Sequence, residues 1–404
     1  MKSIVFIEAN NYGSSVEGIK AAKKLGYYIH IITTRKKFLN QTLPEVDEIL
    51  LMSVLDEVLL IAKLEEIREK HEVEIIISFL DPFVTLAAKL HNLFCNQNIS
   101  HDIFRIMENK ILTREFLQSK PYSPSYLIFK KNDALKNFLF QIKHKYPLIL
   151  KSPTSTGSKD VYLINTENQM KHRINFLKKR NSNEDLLIEE YLTGPQFIVE
   201  AIVFEGIIQI AGVIEQEITK QNKFIVTGYS ISSEMDDSIY SSIAEVTQLI
   251  LTDLGIKNGN FHLEMRLVNN AWKIIEINPR ISGGSMNKLL KEAYGFDYAE
   301  QILKVYRGEQ PSIERKFEYC IYAHYITVNK VGKLISVSGI EQARKESGVI
   351  EVFIKSKEGQ VLSPPLSMGH RYGYVIAKGQ NMDNVKASAL QAADYINFQL
   401  SPIL

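Results

Sequence analysis

The chain has 404 residues, more than one ordinary hydrophobic core holds, so two to four packed units are expected. With 45% hydrophobic and 23% charged residues it has a globular composition, and a net charge of +2 gives no bulk electrostatic case for nucleic acid or an anionic membrane surface. Cys95 and Cys320 stand far apart without metal-type spacing, and no apolar run reaches the length of a membrane span. The apolar run Ile4 to Ile7 is broken by Glu8, too early for a signal-peptide core, and the expectation is a soluble cytoplasmic protein with free thiols.

The first hundred residues alternate strand and helix patterns. Ile4–Ile7 reads as a strand, Asn10–Ser15 as a polar loop, Val16–Leu25 as a helix closed by Gly26, and Tyr28–Thr33 as the next strand. Leu55–Lys70 has amphipathic helical spacing, and Ile75–Phe79 is a third apolar strand running into Asp81-Pro82. Continuous apolar strands separated by helices predict a parallel sheet covered on both faces, with ligand binding at the loop after the first strand. That loop lacks GxGxxG; only Gly13 and Gly18 lie there, which argues against a dinucleotide cofactor.

From about Ile106 the texture changes. Glu108–Ser119 reads as a helix and Tyr146–Lys151 as a strand, followed by a small-residue loop Ser152–Ser158, a strand Val161–Ile164 and a helix Glu167–Lys179. The strand Leu186–Glu190 leads to a turn at Thr193-Gly194-Pro195, and Phe197–Phe204 with Ile207–Ile214 forms a hairpin about Glu205-Gly206. Ser241–Leu254 is a helix, Asn260–Asn278 a second hairpin, Tyr372–Ala377 a strand and Met382–Phe398 a closing amphipathic helix.

The second hairpin carries the strongest chemical signal. Phe261, Leu263, Met265 and Leu267 alternate with His262, Glu264 and Arg266; on the return strand Ile275 and Ile277 alternate with Glu276 and Asn278. Placing the apolar rows on one face sets Leu263 against Ile277, Met265 against Ile275 and Glu264 against Glu276, with the turn centred on Asn270. Cross-strand side chains lie about 5 Å apart, and two carboxylates that close repel unless a cation sits between them. With the amide oxygen of Asn278 they form the hard oxygen set that Mg²⁺ prefers, Mn²⁺ being the other ion that would fit. Arg280 follows within reach of charge on a transferred phosphoryl group. The competing reading is a solvated face with both acids paired to Arg266 or Lys273, and Asn278-Pro279-Arg280 before Ser282-Gly283-Gly284 argues against it.

Glu276-x-Asn278-Pro279-Arg280, with Glu264 twelve residues upstream, resembles the ATP-grasp superfamily, and the branch it is most similar to is the carboxylate–amine (L-amino acid) ligases. The resemblance implies an α/β plus α+β architecture: an N-terminal Rossmann-like parallel-sheet unit at 1–105, an ATP-grasp unit at 106–315 hinged near 189–196, and a small α+β unit at 316–404. It implies Mg²⁺ on Glu264, Glu276 and Asn278, with Glu276 and Arg280 at the chemistry. Lys110 and Lys151 resemble the two nucleotide lysines, and Ser155, Thr156, Gly157 and Ser158 the loop that closes over the phosphates. Glu189, Glu190 and Leu192 resemble the segment that holds adenine. Gln196 stands where a Glu commonly binds ribose, and Asp160 where a glycine often stands. His262 is a phosphate contact or a structural histidine, Glu200 a candidate for the substrate or phosphate side, and His370 and Arg371 are read as structural.

The implied chemistry is ATP-dependent activation of a small carboxylate as an acyl phosphate, which an amine then attacks; no serine, cysteine or histidine nucleophile is needed. Parts of Glu215–Tyr229 and Ser282–Met286 are expected to line the substrate pocket, and relatives of this kind are often homodimers. The rival readings are a carboxylase or phosphoribosyl-intermediate ligase of the same fold, a nucleotide-binding regulator without turnover, and, last, a dinucleotide oxidoreductase.

Overall fold

The computed structural model describes residues 1–40, 43–219 and 224–403. Four strands near the N-terminus form a wholly parallel sheet in the order Glu48–Leu51, Tyr28–Thr33, Lys2–Ile7, Glu72–Ile77. The expected parallel sheet is therefore present, with the short outer strand Glu48–Leu51 added to it. Its helices obey ordinary capping: Asp56 accepts from the amides of Val58 and Leu59 to start Glu57–Arg68, whose Leu60, Leu64 and Ile67 form one buried stripe.

The sequence reading of one helix over Glu108–Ser119 is corrected. One helix ends at Met107 and a second, Lys110–Phe116, begins after Asn109, whose extended backbone and side chain cap it by accepting from Ile111 and Leu112. Asparagine competes for backbone partners inside a helix and is at its best as a cap, so it breaks the run that apolar spacing suggests. The break sets Lys110 at the start of a helix, turned inward.

A small antiparallel sheet follows, ordered Tyr126–Phe129, Leu186–Glu190, Leu148–Lys151, Val161–Ile164. Beside it lies an eight-stranded antiparallel sheet: Ala271–Asn278, Gly259–Val268, Gln196–Phe204, Ile207–Thr219, Ile225–Ile231, Cys320–Ile326, Gly373–Gly379 and Val349–Ile354. This sheet runs unbroken across residue 315, because Ile225–Ile231 pairs directly with Cys320–Ile326. The predicted closing helix is also shorter than expected. Met382–Asp394 is helical, but Asn397–Ser401 is a strand paired with Gly332–Ser338, whose ladder wins over the local helical pattern.

The loop after the first strand meets the turn after Asn278. Gly13 has φ +66°, and a Cβ there would stand 2.8 Å from the Gly284 carbonyl. Ser14 Oγ donates to the Ser282 carbonyl at 2.6 Å. Only glycine allows that approach, which ties the parallel sheet to the carboxylate hairpin.

Candidate active site

The hairpin places Leu263 opposite Ile277 and Glu264 opposite Glu276, as the alternation of its side chains predicts. A bulge between Glu264 and Met265 then shifts the register, so Met265 faces Ile274 and the turn is Asn269-Asn270, both at positive φ. Trp272, Ile274 and Ile277 enter the core, while Ile275 leaves it and lines a neighbouring slot. The expected Met265–Ile275 pair is thereby corrected. Period-two patterning carries no information about an inserted residue.

The two acids stand at a junction. On one side lies a mainly apolar slot walled by Ile149, Val161, Tyr191, Leu192, Ile218 and Ile275; on the other is a cavity of about 530 Å³. Ser158, Glu264, Glu276 and Met368 line both.

Lys110 is buried and donates through Nζ to the Ser155 carbonyl at 2.8 Å, with Glu276 Oε1 3.5 Å away. Lys151 is paired with Glu189, which also takes Arg114 Nε on its other oxygen. Arg114 donates further to the carbonyls of Ile274 and Ile275. Burial pushes Glu189 toward protonation, but Arg114 and Lys151 outweigh it and hold the carboxyl below its usual range. The Glu189 side chain thus carries one protein cation on each oxygen, in the wall of the slot.

Glu190 accepts from the Ser125 amide, and the Leu192 carbonyl accepts from Arg266 at 2.6 Å. Gln196 is clamped: its oxygen takes Arg266, and its amide donates to Gln216 at 2.7 Å and to Glu264 at 3.3 Å. It lines the slot but holds neighbouring side chains. His262 bridges two acids, Nδ1 at 3.1 Å from Glu200 and Nε2 at 3.4 Å from Glu264. Burial pulls its pKa down, yet the two carboxylates raise it to about 9. The imidazolium so held orients Glu264, and with both nitrogens engaged it is not a free phosphate contact.

Around the loop, Ser155 Oγ is buried without a partner, Thr156 and Gly157 line the wide cavity, and Gly157 and Ser158 both have positive φ. The Met368 amide donates to the Gly157 carbonyl at 3.3 Å, so this loop touches the C-terminal unit. Asp160 pairs with Arg180 and accepts from Tyr162. Arg280 lines the cavity, gripped through Nε and Nη2 by Asp81 at 2.9 and 2.5 Å. Asp81 reaches it from the N-terminal unit; its only sequence signal was its place after an apolar strand.

The acid pair fits a divalent ion. Among the described residues the hydrogen bonds and ion pairs to the Glu264 and Glu276 carboxylates are 3.3 Å or longer, and Asn278 makes no side-chain hydrogen bond. Among those residues no group of three or more His, Cys, Asp and Glu could hold a metal. Asn278 and phosphate oxygens would have to complete the set. Of the expected substrate-pocket segments, Tyr229, Ser282, Gly283 and Gly284 line the cavity, while residues 220–223 lie outside the described residues.

Residues 144–288 match the ATP-grasp domain, 19–93 the ATP-grasp N-terminal domain and 324–401 the L-amino acid ligase C-terminal domain 2. The chain belongs to the ATP-grasp superfamily. Its fold is that of the crystal structure of L-amino acid ligase from Bacillus licheniformis, with a TM-score of 0.85 over 100% of this chain and 99% of that one at 17% identity. Among curated relatives, an uncharacterised protein of Sinorhizobium fredii is 24% identical over 63% of this chain and 54% of its own length. Dapdiamide A synthase of Enterobacter agglomerans is 23% identical over 71% of this chain and 70% of its own. The chain thus spans about half of the first relative and rather more of the second. No described helix of this ATP-grasp protein is long and apolar enough to cross a membrane.

Proposed function

We propose that this ATP-grasp protein is an ATP-dependent ligase that joins a small carboxylate to an amine through an acyl phosphate. One observation carries the reading: Glu264 and Glu276 stand where a mainly apolar slot meets a wide polar cavity. An adenine in the slot would send its phosphates past the acid pair toward the cavity. Magnesium, or manganese, held by Glu264, Glu276 and Asn278 would offset phosphate charge there.

The chain's own groups then have distinct tasks. Lys110 and Lys151 lie beside the phosphate path, and Ser155 Oγ offers an unused donor to it. Arg280, fixed by Asp81, faces the cavity where the carboxylate oxygen attacks the terminal phosphorus and the bond to ADP breaks. The amine nitrogen next attacks the acyl carbon, the carbon–oxygen bond to phosphate breaks, and the nitrogen loses a proton. The loop 152–158, bonded to Met368, excludes water that would hydrolyse the activated acid.

The relatives and the match at 324–401 favour amino acids as substrates. This reading places the enzyme in the cytoplasm, working on small molecules and assembled as a homodimer. The test is phosphate release from Mg-ATP with pairs of amino acids, with mass detection of the condensed product. Release that requires both partners is expected. Bicarbonate-dependent release, or ATP binding without turnover for any pair, would sink it in favour of a carboxylase or an idle regulator.

A further inference from the structure

Arg371, read from sequence as structural, closes the far wall of the cavity. Its guanidinium lies 4.0 Å above the Tyr325 ring and 5.8 Å from that of Tyr229, and Nη1 is buried without a hydrogen-bond partner. Among the described residues no acidic side chain pairs with it. Arg266 also keeps one nitrogen unpartnered, but its other two are held by Leu192 and Gln196.

Lys355 lines the same wall, bonded to the Gly369 carbonyl at 2.8 Å and likewise without an acidic partner among the described residues. Burial, and then the Arg371 charge, lower its pKa. Gly284 keeps the approach open: a Cβ there would stand 3.1 Å from the Tyr325 hydroxyl and 3.9 Å from Arg371 Nη2. A buried cation without a counter-charge is costly and calls for an anionic ligand.

We infer that Arg371, supported by Lys355, anchors the carboxylate of an amino acid that serves as the amine substrate, and so sets specificity on that side of the reaction. The assignment rests on the ligase reading. Once the donor acid is activated, its negative charge lies on the phosphoryl group beside Arg280 and the acid pair, and the other charge on a donor amino acid is its ammonium, which Arg371 and Lys355 repel. The attacking amine must be neutral, so the acceptor's remaining charge is its carboxylate, which they attract. Nearby cations also favour the neutral amine. The aromatic rings of Phe353, Tyr374 and Tyr325 beside this anchor would pack against the acceptor's carbon skeleton.

The experiment compares L-alanine and L-phenylalanine with their primary amides as acceptors for one fixed donor. The wild type is expected to show a KM for the acid about 100-fold below that for the amide, at similar kcat. Arg371→Met should raise the acid's KM to the amide's level, leave the KM for the amide and for ATP unchanged, and Arg371→Lys should recover part of the loss. Equal KM for acid and amide in the wild type, equal weakening of both by Arg371→Met, or a loss confined to dicarboxylate donors would overturn the assignment. Thermal shift of the full chain with Mg-ADP separates this from the ligase reading. The free acids should raise the Tm of the wild type but not of Arg371→Met, and the amides should raise neither. That selective shift without phosphate release would sink the ligase reading alone; turnover without selectivity would sink the Arg371 role alone.

Discussion

The two ends of the active cleft treat charge in opposite ways. Beside the slot, Arg114 and Lys151 share Glu189, and Lys110 lies near Glu276, so the cations hold their places before any nucleotide arrives. Across the cavity, Arg371 and Lys355 have aromatic rings and a carbonyl for company and no acidic partner among the described residues. The first arrangement is preorganised. In the second, the bound molecule itself supplies the missing charge. A phosphate path must be right for every substrate, whereas a pocket that selects gains by being unfavourable when empty.

Breaking the acid pair should have the largest effect. Glu276→Gln is expected to cut ligation about 1000-fold, the order seen when one group that stabilises developing charge is lost, with magnesium dependence shifted to higher concentration and the circular-dichroism spectrum unchanged. Retained turnover would contradict the role given to Glu276. Removing the shared anion comes next: Glu189→Gln leaves Arg114 and Lys151 buried around a neutral amide, which should cost about 3–5 kcal/mol in urea unfolding.

A titration away from both ends calibrates these numbers. His91 is buried, and that burial, against the Tyr306 backbone, lowers its pKa to about 4. A histidine with a depressed folded pKa contributes stability above its unfolded pKa of about 6.5 that is lost as pH falls toward 4. The loss is about 3 kcal/mol, and His91→Asn should flatten it in unfolding measured from pH 7 to pH 4. The smallest effect is expected where charge is unpaired. Arg371→Met removes a desolvated cation and its two ring contacts, so stability should stay within about 1 kcal/mol of wild type. A loss as large as that of Glu189→Gln would mean that Arg371 is a structural pillar.

The local chemistry of the hairpin was readable from sequence because alternation fixes which side chains share a face, and Glu264 opposes Glu276 as that rule demands. The bulge that turns Ile275 out of the core was not, since nothing in the residue types marks it. Lys110 was found, yet the cap at Asn109 that turns it inward was hidden within an apparently continuous helix. The partners that decide side-chain roles were beyond reach. Asp81 lies 199 positions from Arg280 and Arg114 lies 75 from Glu189, and only the fold brings each pair together. Gln196 stands where a Glu is common and His262 has two readings from sequence, and the contacts each makes depend on Arg266 and Glu200, which no local pattern couples to them.

The eight-stranded sheet has a mechanical consequence. Its strands pair in one continuous series from the acid-bearing hairpin to Gly373–Gly379, next to Arg371, so acid pair and anchor belong to one slab. Lys151 and the Ser152–Ser158 loop belong to a separate four-stranded leaf. On the proposed reading, a shift of the leaf against the slab would open or close the slot while leaving the acid pair and Arg371 on one sheet.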